Sequence, residues 1–584
     1  MPLRNAEGAD FMKRFEMRVD PLTSEIYYDV HLSGRALLAD PLLNKGHSFP
    51  SNERAELNLV GLLPDSIGSL EEQVDRDYAI YQLKATDFDK HVFLTALRDR
   101  NETVFFALLT RHIEEMLPIV YTPTVGLASL KHSHIIRRYR GIYVSPSTVN
   151  QTEQMLQNIG LPNISLIVTT DGERILGYGD LGADGMGIPI GKIALYIAAA
   201  GIHPASTLPV CIDVGTNNEQ LLSDPMYIGV RKRRLRDEAY YDVMERFVQG
   251  VRRVFPRALV QWEDFGKEHA LTLLNRYSER LPSFNDDIQG TGAVATAALQ
   301  TAMKIKGGNL SEEKIIIYGF GQAGSGVANA IVNQMHADSG ISLTDAHRRI
   351  YAVDRQGLLF EGMSADEYQK DYLQPRDIIA DWPIDKNYAP QLGDVVKYSG
   401  ATILIGLSAQ ANAFDKSVLQ GMASNSPRPV ILALSNPTSR SEATAEAVMT
   451  ATNGTALMAG GSPFPPVSLP DGRTAQISQC NNLYIFPGMG LGAIVSQATR
   501  VRSGMFAAAS RAVSEMVTDV RRAEGHLLPP LSDVREVSYR VALAVAKQAR
   551  DEGIGLIASD ERLAELVRNA MWVPRYYPYR YSRG

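Results

Sequence analysis

The sequence has little cysteine and no excess of positive charge. Two cysteines in 584 residues, Cys211 and Cys480, are too few for a disulfide framework. They fit a reducing compartment, or a protein that is indifferent to its redox surroundings. The 59 lysines and arginines stand against 65 acidic residues, which gives a net charge of −6. This mild acidity argues against a nucleic-acid partner, because such a partner needs a basic surface.

Long hydrophobic runs are also missing. A membrane-spanning helix needs about 20 apolar residues, and the best candidate, Ile193 to Ile202, stops about halfway and contains Tyr196 and Gly201. The N-terminal segment mixes acidic with basic side chains and leads into no apolar core, unlike a transit or signal peptide. We therefore expect a soluble cytoplasmic protein with no membrane partner. An organelle matrix stays open as an alternative location.

What the sequence does have is the composition of an ordinary globular chain. Charged residues make up 21% and hydrophobic residues 45% of it, close to the globular average. Disorder, collagen and coiled coil are therefore excluded for most of the chain. At about 150 residues per domain, the length corresponds to three or four domains.

Apolar periodicity changes along the chain. Residues 1–140 predict mostly helices, because apolar residues recur at three-to-four spacing. Short apolar strands then alternate with helical stretches, most clearly over 287–481, which predicts a parallel, doubly wound sheet. The Gly- and Pro-rich segment 453–474 predicts a loop. The chain ends in a basic, tyrosine-rich tail, for which packing on its own or a neighbouring subunit is favoured over nucleic-acid binding.

A glycine-rich turn follows the predicted strand Ile315 to Tyr318 and precedes a predicted helix. The turn consists of Gly319, Phe320, Gly321, Gln322, Ala323 and Gly324. Glycines there permit a tight turn, close approach of a pyrophosphate and close helix packing, and the helix N-terminus faces the phosphate charge. Strand, turn and helix in this order predict a dinucleotide site.

The next predicted strand ends at Asp354, about 30 residues beyond Gly324, whereas the usual spacing is about 20. Asp354 suits the ribose hydroxyls of NAD. Arg355, which follows immediately, suits the 2′-phosphate of NADP but equally well points into solvent. The sequence therefore leaves the choice between NAD and NADP open.

Two pairs of acidic residues are flanked by large apolar residues. Glu263 and Asp264 close a predicted strand, and Asp286 and Asp287 follow about 20 residues later. Burying such groups is costly unless they are paired or bound to metal. An all-oxygen set without histidine or cysteine suits Mg²⁺ or Mn²⁺ rather than zinc. The alternative is two unrelated, solvated acid pairs.

Three further residues are candidates for chemistry. Lys192 follows a glycine-rich loop at the start of an apolar helix, where low dielectric and the helix N-terminus lower the pKa of a lysine, as a general base requires. A phosphate-binding or plain surface lysine is equally compatible with the pattern. Arg174 follows a predicted strand and offers a planar fork to a substrate carboxylate. Tyr121 lies in a rigid turn, where a core or hydrogen-bonding role is commoner.

Together these motifs resemble the malic enzyme family. The motifs that carry the resemblance, in family order, are YTPTVG, TDGERILGYGD, GMGIPIGK, DVGTNN, WEDF, FNDDIQGTG, GFGQAG, LSNPT and QCNNLYIFPG. They extend from about residue 40 to beyond 500 and leave out the first ~25 residues and the tyrosine-rich tail. Malolactic enzyme shares WEDF, FNDDIQGTG and SNPT, but YTPTVG, GMGIPIGK and Arg174 favour malic enzyme. A non-catalytic dinucleotide-binding protein is disfavoured, because all the expected positions are filled.

The resemblance implies an α/β protein with four regions. These are a helical N-terminal interface domain over 1–140, an α/β catalytic domain over 141–286 completed by about 482–550, a Rossmann-like, doubly wound NAD(P)-binding domain over 287–481, and a C-terminal helix and tail over 551–584. Family members are dimers or tetramers, so the resemblance also implies a homo-oligomer.

The implied reaction is oxidative decarboxylation of L-malate to pyruvate and CO₂, with NAD or NADP and with Mg²⁺ or Mn²⁺. The implied roles are metal ligands for Glu263, Asp264 and Asp287, support of that site for Asp286, general base for Lys192, general acid for Tyr121, and contacts to malate and the nicotinamide end for Arg174, Asn436 and Asn481. Arg76 and Arg100 match positions where some members bind fumarate, and two arginines suit a small dicarboxylate. Plain surface arginines are the alternative.

Overall fold

The computed structural model describes residues 14–175, 177–385 and 388–582. Residues 1–13, which supply most of the N-terminal segment considered for targeting, lie outside the described residues. The chain divides into two compact units, the first formed by residues 1–283 with 568–584 and the second by residues 284–567.

Strands occur in both units. In chain order they are β1 (Phe15–Val19), β2 (Ile26–Val30), β3 (Ile142–Val144), β4 (Leu166–Thr170), β5 (Thr207–Ile212), β6 (Leu259–Trp262), β7 (Ser283–Asn285), β8 (Ile315–Tyr318), β9 (Ile350–Asp354), β10 (Gly357–Leu358), β11 (Ile403–Gly406), β12 (Val430–Ala433), β13 (Leu457–Gly460), β14 (Val467–Ser468), β15 (Thr474–Ala475), β16 (Ser478–Gln479) and β17 (Tyr579–Tyr581).

Helices make up much of the rest. They are α1 (Gly34–Leu38), α2 (Ser51–Glu56), α3 (Leu70–Gln82), α4 (Asp87–Arg100), α5 (Glu102–Arg111), α6 (Ile113–Val120), α7 (Thr124–Ser129), α8 (His132–Ile135), α9 (Thr152–Asn158), α10 (Gly187–Ala200), α11 (Glu219–Ser223), α12 (Asp237–Val254), α13 (Lys267–Tyr277), α14 (Thr291–Lys306), α15 (Gln322–Ser339), α16 (Leu343–His347), α17 (Leu392–Ser399), α18 (Lys416–Asn425), α19 (Ala445–Ala451), α20 (Phe486–Val495), α21 (Ser503–Glu515), α22 (Asp519–Ala523), α23 (Val534–Asp551) and α24 (Asp560–Ala570). In the described ranges no helix combines the length and the apolar character needed to cross a membrane.

The first unit begins with strands rather than helices. β1 pairs antiparallel with β2, and the tail strand β17 pairs parallel with the other side of β2. Tyr28 of β2 stacks on Tyr577 and Tyr579, with ring centroids 4.9 and 5.8 Å apart. The region predicted to be mostly helical therefore also contains the strands β1 and β2, and the tail packs on its own chain. β1 and β2 form a local antiparallel hairpin, whereas the pairing of β17 with β2 joins opposite ends of the chain, which local periodicity does not show.

From α1 onward the N-terminal region is helical, as the periodicity predicts. Polar caps divide the long apolar run into separate helices. Ser69 and Glu72 form a capping box at the start of α3, and Thr86 caps α4. Asn101 ends α4 and accepts a hydrogen bond from the Val104 N–H to begin α5. These side chains satisfy N–H groups that the first turn of a helix leaves without partners.

The core of the first unit is a parallel sheet. Strands β3, β5, β4 and β6 lie side by side in that order and all run in the same direction. Helix α10 packs beside this sheet with nearly all its side chains buried. Because β4 and β6 are parallel neighbours, the loops at their carboxyl ends lie next to each other. That pairing brings the TDGER loop beside Glu263 and Asp264.

The second unit contains the predicted doubly wound sheet. Its order is β10-β9-β8-β11-β12-β13-β16, and all pairs are parallel except the antiparallel pair of β9 and β10. Strand order reverses beside β8, the strand that precedes the glycine-rich turn. This is the arrangement in which open α/β sheets bind dinucleotides, and it confirms the predicted fold class.

Two parts of the second unit differ from the sequence-based expectation. The segment 453–474 is not all loop, because β13 runs through it between β12 and β16. Its short apolar run is surrounded by Gly and Pro, which hid the strand. The segment 482–550 lies in the second unit. There α20 packs closely on α23, since a Cβ on Gly488 would lie 2.6 Å from the Val541 side chain.

Candidate active site

Three predicted residues meet inside the first unit. Lys192 lies in the second turn of α10, Tyr121 follows α6, and Glu263 follows β6. The Nζ atom of Lys192 lies 2.7 Å from Oε1 of Glu263. The Tyr121 hydroxyl donates a hydrogen bond of 3.0 Å to the same oxygen. All three side chains are buried. An amine and a phenol therefore converge on one carboxylate oxygen that is shielded from bulk solvent.

Sequence reasoning missed the residues that hold the other oxygen of Glu263. The Gln261 amide donates a 2.6 Å hydrogen bond to Oε2 of Glu263. The Tyr196 hydroxyl in turn donates to the Gln261 carbonyl oxygen. Gln261 and Glu263 are two residues apart along an extended segment, so their side chains point to the same face of the sheet. A glutamine inside the apolar strand LVQW was the available signal.

The environment of Tyr121 keeps its hydroxyl protonated. Burial raises the pKa of Tyr121 well above its usual value, and the nearby Glu263 carboxylate raises it further. The Lys192 charge acts in the opposite direction. A phenol that stays protonated at neutral pH is a proton donor, which is the role of a general acid.

Asp264 and Arg174 are joined through the backbone. The Arg174 N–H donates to the Asp264 carbonyl oxygen at 3.3 Å. Asp264 has a φ of 53°, in the left-handed region that non-glycine residues rarely adopt. Such outliers concentrate at functional sites. Asp264 is buried, whereas the Arg174 side chain is exposed and extends from a loop that is fixed beside Glu263.

A buried ion-pair network supports the loop that carries Arg174. The Arg234 guanidinium, inaccessible to solvent, donates two hydrogen bonds of 2.8 and 2.9 Å to Asp180. It also lies 3.9 Å from Asp171, which accepts a 2.7 Å hydrogen bond from the Tyr240 hydroxyl. Asp171 and Asp180 therefore anchor the two sides of the loop. The sequence motifs contained both acids, but their partner Arg234 was not identified.

The predicted metal ligands have the chemistry of a hard-cation site. Glu263 and Asp264 are consecutive buried carboxylates in the first unit, and Asp287 belongs to the second. All are oxygen donors, which suit Mg²⁺ or Mn²⁺. Among the described residues, no three histidine, cysteine, aspartate or glutamate side chains are already clustered to hold a metal ion. The metal ligand set therefore stays a prediction.

Asp286 and Asp287 open a wide π turn, Asp286–Gly290, in the second unit. Such turns are rare in proteins, and those that occur often lie at functional sites. The Asn482 side chain donates to Asp286 Oδ2 at 3.1 Å. The neighbouring Asn481, predicted as a substrate contact, accepts a 2.9 Å hydrogen bond from the Leu483 N–H. The residue that contacts Asp286 is therefore Asn482, which sequence reasoning did not select.

The glycine-rich turn has the geometry that a dinucleotide needs. Gly319 has a φ of 90°, and a Cβ there would lie 2.6 Å from the backbone of Ser408. A Cβ on Gly324 would lie 2.7 Å from the Gly319 carbonyl oxygen. Gly321 precedes α15, and a Cβ there would meet nothing within 4 Å. Two glycines are thus required by packing, and the third leaves open space at a helix N-terminus.

Asp354 ends β9 and is fixed beside this turn. The Gln369 amide donates to Asp354 Oδ2 at 3.1 Å and to the Phe320 carbonyl oxygen at 3.0 Å. Arg355 contributes its backbone N–H to Asp354 at 2.8 Å, and its side chain is exposed. The structure therefore brings Asp354 to the glycine-rich turn. Gln369, in a region without a recognised motif, was missed.

The remaining predicted residues are exposed. Asn436 follows β12, and its side-chain oxygen accepts a 2.6 Å hydrogen bond from Ser462. Arg76 and Arg100 flank one carboxylate, Asp77. Arg100 forms a 3.0 Å ion pair with Asp77, and the charges of both arginines oppose the rise in the pKa of Asp77 that burial causes.

Comparison with known proteins gives a consistent result. The malic enzyme N-terminal domain matches residues 98–278, and the malic enzyme NAD-binding domain matches residues 288–550. The NAD-dependent malic enzyme of Aliivibrio fischeri is 48% identical over 94% of this chain and 97% of its own length. That of Pseudomonas savastanoi pv. phaseolicola is 46% identical over 94% of this chain and 98% of its own length.

Solved structures share the fold at lower sequence identity. The malic enzyme of Entamoeba histolytica has a TM-score of 0.54 at 20% identity, over 88% of this chain and 91% of that one. The malic enzyme of Pyrococcus horikoshii has a TM-score of 0.51 at 21% identity, over 78% of this chain and 89% of that one. At these identities the likeness is one of fold alone. By its two matching domains and its relatives along nearly the whole length, this chain belongs to the malic enzyme family.

Proposed function

We propose that the protein catalyses the oxidative decarboxylation of L-malate to pyruvate and CO₂, with NAD⁺ as the hydride acceptor and Mg²⁺ or Mn²⁺ as the metal. The observation that carries the proposal is the convergence of Lys192 and Tyr121 on one oxygen of Glu263. This arrangement supplies a base and an acid at one buried point. The names of the relatives, NAD-dependent malic enzymes, support the same reaction.

The metal belongs to the proposal as well. Glu263, Asp264 and Asp287 would hold it, and Asp286, hydrogen-bonded to Asn482, would support Asp287. A bound divalent cation supplies positive charge that lowers the pKa of the malate hydroxyl and stabilises the negative charge that develops as CO₂ leaves. The residues of the chain perform the proton transfers.

Lys192 acts first, as the general base. In its neutral form it accepts the proton of the malate C2 hydroxyl while a hydride departs from C2, which yields oxaloacetate. The bond between C3 and C4 then breaks, CO₂ leaves, and the electron pair forms the enolate of pyruvate. Tyr121 donates its proton to C3, and Lys192 returns a proton to Tyr121. The Glu263 oxygen that contacts both groups holds them in place for these transfers.

Substrate and cofactor binding follow from the loops at the strand ends. The Arg174 guanidinium would bind a malate carboxylate through two parallel hydrogen bonds. Asn436 and Asn481 would contact malate and the nicotinamide end. The turn from Gly319 to Gly324 would hold the pyrophosphate, and Asp354 would accept hydrogen bonds from the ribose hydroxyls. Its negative charge repels a 2′-phosphate, which favours NAD over NADP.

One experiment separates this proposal from its alternatives. The protein is incubated with L-malate, NAD⁺ and Mn²⁺ while reduced cofactor, pyruvate and lactate are measured. Malic enzyme accumulates reduced cofactor and pyruvate in equal amounts. Malolactic enzyme produces lactate without accumulating reduced cofactor. A non-catalytic dinucleotide-binding protein produces neither, and that result would overturn the proposal.

We also propose a regulatory site at Arg76 and Arg100, with a small dicarboxylate as the effector. Both cations flank Asp77 and are exposed, so a dicarboxylate can compete with Asp77 for them. Activation by fumarate that disappears in Arg100→Ala supports this site, and a wild type without any fumarate response contradicts it.

We further propose that the protein is a homo-oligomer, either a dimer or a tetramer, and that it is located in the cytoplasm. Light scattering at micromolar concentration tests the oligomer.

A further inference from the structure

Glu442 is a fully buried carboxylate in the second unit, in the loop that follows β12. Its Oε1 accepts hydrogen bonds from the Ser408 N–H and hydroxyl, both at 2.8 Å, and from the Ala409 N–H at 3.2 Å. The Ser435 hydroxyl donates to Oε1 at 2.5 Å, and the Ser435 N–H approaches Oε2 at 3.4 Å. These five donors are neutral. They occupy the carboxylate oxygens without placing a positive charge beside them.

The hydrogen bonds tie together two loops at the carboxyl end of the sheet. Ser408 and Ala409 follow β11, and Ser435 follows β12. Ala409 has a φ of 56°, a left-handed conformation that costs free energy for a residue with a Cβ. Its N–H donates to both Glu442 and the Ser435 hydroxyl. A Cβ on Gly406 would lie 2.6 Å from Cγ and Cδ of Glu442, so the close approach requires glycine there.

The tied loops lie on the side of the glycine-rich turn where the proposed cofactor would place its nicotinamide. In this sheet Asp354, at the end of β9, marks the adenosine ribose, and the turn after β8 marks the pyrophosphate. A dinucleotide that follows this order must continue toward the ends of β11 and β12. The glycine-rich turn touches that region, because Gly319 packs against the backbone of Ser408. Asn436, next to Ser435, lies on the same loop.

We infer that Glu442 is a positioning residue whose fixed negative charge favours the oxidised cofactor. The nicotinamide ring of NAD⁺ carries a positive charge, which the ring loses when it accepts a hydride. A buried anion below the loops therefore stabilises NAD⁺ relative to NADH, and it helps the reduced product to leave. The inference rests on the proposed function, because it requires that the second unit binds NAD.

Glu442→Gln tests the charge with little change of shape. The amide oxygen can take the place of Oε1 and keep the four hydrogen bonds made there. The amide NH₂ replaces Oε2, whose one hydrogen-bond contact within the described ranges is the long one with the Ser435 N–H. Ser435→Ala is the matched control, because it removes a hydroxyl tie between the loops but keeps the carboxylate. The dissociation constants of NAD⁺ and NADH are measured by fluorescence titration for the wild-type protein and both variants.

We expect Glu442→Gln to weaken NAD⁺ roughly three- to tenfold more than it weakens NADH, as for a charge lost at a distance of several ångströms. Ser435→Ala, which keeps the carboxylate, should not weaken NAD⁺ more than it weakens NADH. Equal weakening of both forms in Glu442→Gln, or no weakening, overturns the inference. A wild-type protein that binds neither form contradicts the proposed function instead.

A second variant covers the case in which Glu442→Gln does not fold. Ser408→Ala removes one hydroxyl donor from Glu442 and leaves its charge less screened. The preference for NAD⁺ over NADH should then increase relative to the wild-type protein. A decreased or unchanged preference in a folded Ser408→Ala protein contradicts the inference.

Discussion

The Nζ atom of Lys192 lies 2.7 Å from Oε1 of Glu263, and both side chains are almost wholly removed from solvent. The same oxygen receives the Tyr121 hydroxyl. Lys192 and Tyr121, the proposed base and acid, are therefore positioned by one carboxylate. Any change to Glu263 or to its supports is expected to disturb both groups together.

Lys192→Ala should lower kcat for malate oxidation by about 10²- to 10⁴-fold, which is the usual contribution of a positioned base. NAD⁺ affinity should stay nearly the same, because the predicted dinucleotide contacts lie in the second unit. Steady-state kinetics and a cofactor titration measure the two effects. Lys416→Ala, at the exposed start of α18, serves as the control. Near-wild-type turnover of Lys192→Ala would remove this residue from the mechanism.

Tyr121→Phe should keep the ring in place and remove only the proton donor. We expect pyruvate formation to fall by about 10²- to 10⁴-fold, with a smaller effect on the oxidation of malate to oxaloacetate. Assays of pyruvate and oxaloacetate by chromatography distinguish the two steps. Tyr484→Phe, which removes a buried hydroxyl bonded to the Pro529 carbonyl oxygen, controls for the loss of a phenol. Unchanged pyruvate production in Tyr121→Phe would exclude the acid role.

Gln261→Leu should reduce both stability and activity. It leaves the Tyr196 hydroxyl and Oε2 of Glu263 without their contacts to Gln261, at a cost of about 1–3 kcal/mol in the free energy of unfolding. Glu263 then turns more freely, so kcat should fall by roughly tenfold. Tyr196→Phe keeps the bond from Gln261 to Glu263 and should retain more activity. Urea unfolding and kinetics test this, and an equal loss in both variants would argue against a positioning role.

Asp354→Ala should raise KM for NAD⁺ by about tenfold or more, since hydrogen bonds to a charged group contribute about 1.5–3 kcal/mol. KM for NADP⁺ should stay the same or fall, because a negative charge near the 2′-phosphate is removed. Arg355→Ala, at the neighbouring position, is the matched control and should change KM for NAD⁺ only slightly. Kinetics with both cofactors at fixed malate and Mn²⁺ measure these effects. A wild-type preference for NADP⁺ that collapses in Arg355→Ala would assign Arg355 to the 2′-phosphate.

Stability should depend on pH through His203, which is half-buried. Its Nδ1 accepts the Ala205 N–H at 3.1 Å, so the neutral ring carries its proton on Nε2, beside the Tyr28 hydroxyl. Burial lowers the pKa of His203 to about 4, and the charge of Glu102 opposes this shift. The unfolded chain, with a histidine pKa of about 6.5, therefore binds more protons between pH 4 and 6.5. The free energy of unfolding is therefore highest above pH 6.5. It decreases by up to about 3 kcal/mol as pH falls through that range.

His203→Asn should remove this dependence, because the amide oxygen can accept the Ala205 N–H and does not titrate. The difference between the urea midpoints at pH 7.5 and pH 5 should shrink in this variant. His132, whose pKa burial also lowers to about 4, retains part of the dependence. His336→Asn, at an exposed position, should behave like the wild type. An unchanged pH dependence in His203→Asn would show that another group controls it.

Local patterns predicted the elements whose stability is local. The glycine-rich turn between β8 and α15 was readable because tight turns need glycine. Helix α10 and strands β4, β5 and β6 could be predicted because their residues are mostly apolar. The strands β1 and β2 were not predicted, because they are short and contain charged residues, and β13 was hidden by its Gly- and Pro-rich surroundings.

The site divides in the same way. The residue types of a malate-oxidising centre, and their order in the family, can be read from the sequence: acids at strand ends, one lysine after a glycine-rich loop, one tyrosine in a turn. The folded chain was needed to show that Lys192 and Tyr121 share one oxygen of Glu263, that Gln261 holds the other, and that Glu442 ties two loops. Several of these contacts join residues far apart in sequence, such as Tyr121 and Glu263, and each partner is a single polar group in a buried place. Periodicity describes how a segment faces its core, but it does not identify the partner that a buried polar atom meets there.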